Sequence, residues 1–380
     1  MTITTSEAHV APEPADIERA PDADSVDDTA VDAFADRMLT SFLGAIETMS
    51  VHLGSRLGWY DALAGGAALT AAELAARTDT DARYAREWLE QQAAVGILTV
   101  DDATAAPEDR RFSLPAHAEP ALTDRANLAY MAPLARMLAA AGQAMPHIID
   151  AYRTGGGVSW QEFGADARES QAEANRPWFD AMPAVLAEVP QVREALSRPD
   201  ARIADVGAGL GWSSIALAKA YPQLRVEGFD VDTESVVAAR DNAREAGVAD
   251  RVEFREQDAA ELAEHAPFDA IFAFECIHDL PHPIDVLRAM REAVRPGGAV
   301  LIMDEAVSDA FAPMAGDLDR LMYGYSLFVC LPDGRSHGSS AATGTVMRPD
   351  TLRGYAREAG WSDVHVIVPE FGFWRFYELV

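Results

Sequence analysis

The stretch Arg202–Tyr221, RIADVGAGLGWSSIALAKAY, constrains the fold more than any other part of the chain. Ile203 to Val206 is short and apolar and reads as a buried strand. From about Trp212 the residues Ile215 and Leu217, with alanines between them, read as a helix. Gly207, Gly209 and Gly211 lie between the two. A strand that turns into a helix on glycines leaves bare amides at the helix N-terminus, and no Cβ keeps a ligand off the backbone. The dinucleotide pattern Gly-x-Gly-x-x-Gly fails, because Trp212 stands where its third glycine is needed. The pattern present is Asp-x-Gly-x-Gly-x-Gly, Asp205 to Gly211.

The residues that follow alternate strand and helix. Arg225–Asp230, Arg251–Asp258, Phe268–Glu275 and Ala299–Met303 read as strands, the first three ending in an acid. Between them, Thr233–Ala246 is helical and closed by Gly247, and Pro283–Val294 is helical and stopped by Arg295-Pro-Gly-Gly298. Such alternation predicts an α/β fold with a parallel, doubly wound sheet. Ligands of these sheets bind at the carboxyl ends of the strands, where Asp230, Asp258, Glu275 and Asp304 fall. An acid about 20 residues past the glycine loop is placed to accept hydrogen bonds from ribose hydroxyls, which suits Asp230. Pro349–Ala359 is a last helix, and Val364–Val368 and Phe373–Leu379 read as a hairpin on the sheet edge.

The chain has 380 residues and a formal net charge of -30. The length suits two domains. The charge disfavours nucleic acid and anionic membranes as partners. Two cysteines, Cys276 and Cys330, make no disulfide framework, and no apolar run reaches membrane-spanning length. A cytoplasmic location is expected, since the N-terminus lacks the regions of a signal peptide.

Residues 1 to 28 are poor in large apolar side chains and are expected to be a disordered acidic tail. Val31–Leu57 is helical by pattern, with Phe34, Met38, Phe42 and Ile46 four residues apart and Leu53 and Leu57 continuing the face. That face packs either on a partner subunit or within its own domain. Thr70-Ala-Ala-Glu73 is a capping box opening a helix through Arg77, and a second helix runs from about Asp81 to Ala94. Gly96–Val100 and Arg111–Leu114 are the expected strands of a hairpin, completing a winged helix. The second helix sets Arg83 and Arg86 against Asp81, Glu87 and Glu90, while Tyr84, Trp88 and Leu89 look like core. A DNA-reading helix needs a basic face, so a structural role is expected. A further helix is expected over 127–153, followed by a loop at Gly155–Gly157. The aromatic stretches 158–164 and 175–182 suit a lid over a ligand, in a linker taken as 151–200. The insertion 308–347 follows the fifth strand and should shape the acceptor pocket, with a helix over Leu318–Leu331 and a loop from Gly334 to Gly344. Trp160, Phe179, Tyr323 and His337 are the candidate acceptor contacts.

Phe274-Glu-Cys-Ile-His-Asp-Leu-Pro-His282 follows the fourth strand. An imidazole, with an ordinary pKa of about 6.5, can take a proton from a phenol or hydroxyl. His278 is the candidate base; its alternative role is to cap the helix starting near Pro283. Cys276, His278, Asp279 and His282 are ligand types, but Pro281 breaks any helix that would align the two histidines, so no metal is expected.

The Asp205–Gly211 loop resembles the first motif of class I S-adenosylmethionine (SAM) methyltransferases. From about residue 35 onward the chain is similar to plant-type O-methyltransferases and to bacterial small-molecule methyltransferases with an N-terminal winged helix. The resemblance implies a seven-stranded Rossmann-like sheet over 201–380 and a winged-helix dimerisation domain over 29–150. It implies SAM at Asp205, Gly207, Gly209, Gly211, Asp230, Asp258, Ala259 and Glu275. In that family the His of the His278-Asp279 pair is the general base, and an acid after the fifth strand, here Asp304 rather than Glu305, orients it. The family's aromatic after His-Asp is Leu280 here. The implied activity is methyl transfer to a small molecule at a hydroxyl, by a homodimer. Methylation at nitrogen or carbon, which needs no base, is the alternative within the fold, and a ligand-responsive winged-helix regulator the alternative outside it.

Overall fold

The structure is a computed structural model and describes residues 28–380. The acidic tail expected over 1–28 lies outside these residues, except for Asp28, which opens the first helix, Asp28–Arg56. Among the described residues, those from Asp28 to Thr48 form one compact unit and Met49–Val380 another.

The winged helix begins where Thr70 caps Ala71–Thr78, its hydroxyl accepting from Glu73 N while the Glu73 carboxylate accepts from Thr70 N. Asp81 caps the second helix, Ala82–Ala94. Ala85, Trp88, Leu89 and Gln92 turn inward at helical spacing. Tyr84, expected in the core, lies outside that stripe and is 75% exposed. The wing is shorter than expected. β1 is Thr99–Val100 and pairs antiparallel with β2, Phe112–Ser113. Ile97 and Leu98 do not join it, because their amides both donate to Gln92 O and finish the preceding helix. The helix expected from Asn127 starts at Ala132, with Pro133 in its first turn. Asn127 instead closes a turn through its side-chain oxygen onto Ala129 N.

The sheet holds β3 (Arg202–Val206), β4 (Arg225–Asp230), β5 (Val252–Glu256), β6 (Phe268–Phe274), β7 (Val294–Glu305), β8 (Val364–Phe371) and β9 (Trp374–Leu379). Their order is β5-β4-β3-β6-β7-β9-β8. β3 to β7 are mutually parallel, and β9 runs antiparallel to both β7 and β8. Period-two alternation buries both faces. Ile203, Val226, Phe272 and Leu301 join one core, and Ala204, Phe229, Ile271 and Ile302 join the other. The chain winds outward from β3 to β5, then returns to the other side of β3 for β6. The order therefore reverses at β3, and a crevice opens there at the strands' carboxyl ends.

Two further elements reach this crevice. Ser159 caps the span Trp160–Leu186, which holds both aromatic stretches and is broken at Gly164, whose φ of 78° is not helical. In the insertion, the helix expected over Leu318–Leu331 is Asp317–Tyr325, continued by a widened turn over Ser326–Cys330.

Candidate active site

A cavity of about 500 Å³ occupies the crevice. Its floor is the glycine loop, and the three glycines play separate parts. At Gly209 (φ 50°) a Cβ would meet no atom within 4 Å, so the backbone faces open space. At Gly211 (φ 81°) a Cβ would lie 2.4 Å from Phe254 Cζ, so this residue lets helix Trp212–Ala220 settle on the sheet. At Gly207 the obstacle is Cys276 Cβ, 2.6 Å away. Gly207 and Gly209 line the cavity and Gly211 does not.

Asp205, expected at the ligand, lies beneath the loop. It is 1% exposed and accepts from the Ser213 and Ser214 hydroxyls at 2.6 and 2.5 Å. Burial pushes its carboxyl up to about 6 against those hydrogen bonds. Asp205 thus ties the strand end to the next helix and shapes the loop without lining the cavity. Asp230 does line it, accepting from Gly209 N at 2.8 Å and Asp232 N at 2.9 Å. Asp258 and Ala259 open the short helix after β5 and line the same wall.

At the end of β6, Glu275 is held at φ 52°, an uncommon angle for a residue with a Cβ. Its Oε2 accepts from Gln171 Nε2 at 3.0 Å and from Asn175 Nδ2, both on the helical span above. Burial pushes its carboxyl up to about 8.

His278 is 3% exposed and lines the cavity. Its Nδ1 lies 2.8 Å from Asp304 Oδ1 and 3.2 Å from Glu305 Oε2. Its Nε2 lies 3.3 Å from Asp279 Oδ1. Burial alone would lower the imidazole pKa, but Asp279, Glu305 and Asp304 outweigh it and hold His278 well above its ordinary value. Burial raises the Asp304 carboxyl, yet the imidazole beside it leaves the net shift downward. His282, not His278, stands at the cap of helix Pro283–Ala293, and makes no side-chain capping bond there. His278, Asp304 and Glu305 offer ligand atoms within 4.8 Å of one another, a spacing a metal ion could also use; the Nδ1–Asp304 hydrogen bond already links two of them.

Of the candidate acceptor contacts, Trp160, Phe179 and His337 line the cavity. Tyr323 does not. It is turned to solvent, and its hydroxyl accepts from Arg348 Nη2 at 3.2 Å. Leu321, Met322, Tyr325 and Val329 face the cavity in its place. Sequence reading also missed Arg168, Gln171, Asn175 and Asp333. Asp333 accepts from Trp160 N at 2.6 Å, and burial raises its carboxyl to about 7. The spacing of Arg168, Gln171 and Asn175 along one helix face was the available signal.

Residues 203–298, holding the loop, Asp230, Glu275 and His278, match the model of the family described as "Methyltransferase domain". The chain carries a methyltransferase domain. Residues 45–124 match an "Rv2258c-like winged HTH domain". Over 121 residues the chain is 34% identical to 27-O-demethylrifamycin SV methyltransferase of Amycolatopsis mediterranei, covering 32% of this chain and 44% of that one. The chain spans less than half the length of the curated relatives it matches. An O-methyltransferase family protein from Burkholderia thailandensis superposes with a TM-score of 0.65 at 20% identity, covering 93% of this chain and 98% of that one. Human N-acetylserotonin methyltransferase, solved in complex with SAM, gives 0.61 at 19% identity over 94% and 99% of the two chains. These likenesses extend the methyltransferase fold to nearly the whole chain. Among the described residues no helix is long and apolar enough to cross a membrane.

Proposed function

We propose that the chain is a SAM-dependent methyltransferase acting on a small molecule at an oxygen. The residues fit the cofactor. Gly209 leaves space that any Cβ would fill, Asp230 presents a carboxylate beside it, and Glu275 keeps a buried oxygen, Oε1, without a partner. SAM would supply a methyl group activated on a sulfonium. Asp230 and Asp258 would accept hydrogen bonds from its nucleoside, and the apolar wall of Trp160, Phe179, Met322 and Tyr325 would take the acceptor's body.

One observation carries the reading at oxygen: the cavity-lining imidazole of His278, held through Nδ1 by Asp304. With Nδ1 so held, Nε2 is the nitrogen that takes the acceptor's proton. A positioned base contributes about 10²- to 10⁴-fold. The test is His278→Ala, with turnover and cofactor affinity measured separately on an acceptor found by mass-spectrometric screening. Turnover should fall about 10²-fold or more with affinity kept.

A specific observation supports a second reading. Carboxylates face both ring nitrogens, and they hold the imidazole pKa well above its ordinary value. A charged imidazole accepts no proton, and an amine or carbon nucleophile needs none taken. Retention of more than half the turnover in His278→Ala supports methylation at nitrogen or carbon.

The proposed assembly is a homodimer through helix Asp28–Arg56, where Phe34, Phe42 and Ile46 are each more than half exposed. The winged helix is proposed as a structural module. Its second helix carries Glu87 and Glu90 beside Arg83 and Arg86, and Arg83 pairs with Glu87 at 2.5 Å, so the helix offers no net positive face to a phosphate backbone.

A further inference from the structure

Two buried polar side chains in the cavity each keep an atom without a hydrogen-bond partner. Arg168, on the span Trp160–Leu186, is 8% exposed. Its Nε lies 3.7 Å from Asp232 Oδ2, and Nη2 pairs with Glu234. Its remaining nitrogen, Nη1, is buried with no hydrogen-bond partner. One turn along the same helix, Gln171 donates to Glu275 Oε2, and Asn175 a turn beyond donates to the same oxygen. Glu275 Oε1 is left buried with no partner. Both side chains line the cavity.

Buried polar atoms are rarely left unpaired in a folded protein, and charged ones least of all. A guanidinium nitrogen asks for an anion, and a cation beside Glu275 offsets the burial that pushes its carboxyl up, drawing it into the charged form. An α-amino acid carries both on one carbon. The backbone strain at Glu275, at φ 52°, is of the kind that collects at ligand clamps.

We infer that Arg168 and Glu275 grip the α-amino acid end of the cofactor, Arg168 Nη1 donating to its carboxylate and Glu275 Oε1 accepting from its ammonium. The inference rests on the proposed reading of the cavity as a SAM site. It adds that the helical span, not the sheet alone, holds the cofactor. Gln171 and Asn175 are positioning residues, since they fix the Glu275 carboxylate through Oε2 and leave Oε1 to the ligand. Arg176, on the same span, lies 3.8 Å over the Trp212 ring at the start of the helix after the loop.

Calorimetry with three probes tests this: S-adenosylhomocysteine, its carboxyl methyl ester, and 5′-methylthioadenosine, which lacks the amino acid end. The wild-type protein should bind S-adenosylhomocysteine about 10- to 100-fold more tightly than the ester. Arg168→Gln and Glu275→Gln should each lose affinity for S-adenosylhomocysteine by about the same factor, with 5′-methylthioadenosine unchanged. Arg168→Lys should recover part of the loss. In Arg168→Gln the ester and the free acid should bind alike.

Equal loss of S-adenosylhomocysteine and 5′-methylthioadenosine in both variants would make these residues mere structural support and overturn the grip. Wild-type affinity for S-adenosylhomocysteine in both would overturn it too. Should Arg168→Gln fail to fold, the wild-type comparison still decides, because equal binding of acid and ester excludes a carboxylate partner. A wild-type protein that binds 5′-methylthioadenosine but does not favour S-adenosylhomocysteine refutes the grip and spares the nucleoside site. One that binds none of the three probes refutes the SAM reading, and the grip with it.

Discussion

Gly209 and Gly211 share a left-handed backbone but answer to different neighbours. Gly209→Ala places a methyl in the open floor of the cavity, so its main effect should be on the ligand. Gly211→Ala drives a methyl into Phe254 and should cost about 1–3 kcal/mol of stability through overpacking. Urea unfolding should separate the two, with Gly211→Ala the less stable, and calorimetry should show Gly209→Ala losing the larger share of S-adenosylhomocysteine affinity. A second residue-scale prediction concerns pH. Only neutral His278 accepts a proton, and its three carboxylate neighbours hold its pKa well above the ordinary value. The rate on a hydroxyl acceptor should therefore rise with pH through a midpoint above the value of about 6.5 that an unperturbed imidazole would give. Asp279→Asn removes the carboxylate that faces Nε2, so the imidazolium loses stabilisation and the midpoint should move to lower pH. A pH–rate profile of kcat for both proteins checks it; an unchanged midpoint in Asp279→Asn would show that the titrating group lies elsewhere.

At the scale of elements, packing decides where local propensity and tertiary contact disagree. Gly54 lies in helix Asp28–Arg56, and a Cβ there would meet Trp88 Cζ2 at 2.2 Å and Tyr60 Cε2 at 2.9 Å. Propensity alone predicts that Gly54→Ala gains about 1 kcal/mol. The contact with the winged-helix core predicts a loss of about 1–3 kcal/mol. Urea unfolding should show a loss, and a gain would mean the helix end shifts away from Trp88 at little cost. The same competition sets what was legible in the sequence. β3, β4 and β6 are buried on both faces, and the apolar runs of β3 and β6 are nearly continuous, whereas the edge strand β5 alternates buried Val252 and Phe254 with exposed Glu253 and Glu256. The Asp230, Glu275 and His278 positions followed, because they sit at strand ends. The first residues of the wing were not legible, since Ile97 and Leu98 have strand-like side chains but amides committed to Gln92 O. Arg168, Gln171 and Asn175 were missed for a related reason. Their polar stripe is what an exposed helix also shows, and only the fold turns that face onto a buried carboxylate. Tyr323 and Tyr325 stand two residues apart on one helix, and which of them meets the cavity depends on how that helix is rotated.

For the whole molecule, the charge balance and one apolar stripe point to different partners. A net charge of -30 opposes association with another polyanion. A mobility-shift assay with duplex DNA at low salt should show no complex; a sequence-selective shift would revive the regulator reading of the winged helix. The stripe on helix Asp28–Arg56 opposes the monomer. Phe34 is 58% exposed, Phe42 59% and Ile46 58%, spaced so that they share one side of the helix. Covering a large apolar side chain is worth about 1.5–3 kcal/mol, so several covered at once can hold two chains together against self-repulsion. A second copy presents the same stripe, and a two-fold axis lets each stripe meet the other. Light scattering at micromolar concentration should therefore give twice the chain mass. Phe42→Glu combined with Ile46→Glu sets a charge on both sides of the axis and should give the single-chain mass. In the double variant, cofactor affinity should stay close to wild type, because both substitutions lie in the unit that ends at Thr48 and every residue lining the cavity belongs to the other unit. A wild-type monomer under these conditions would remove the dimer from the proposal while leaving the methyltransferase site as described.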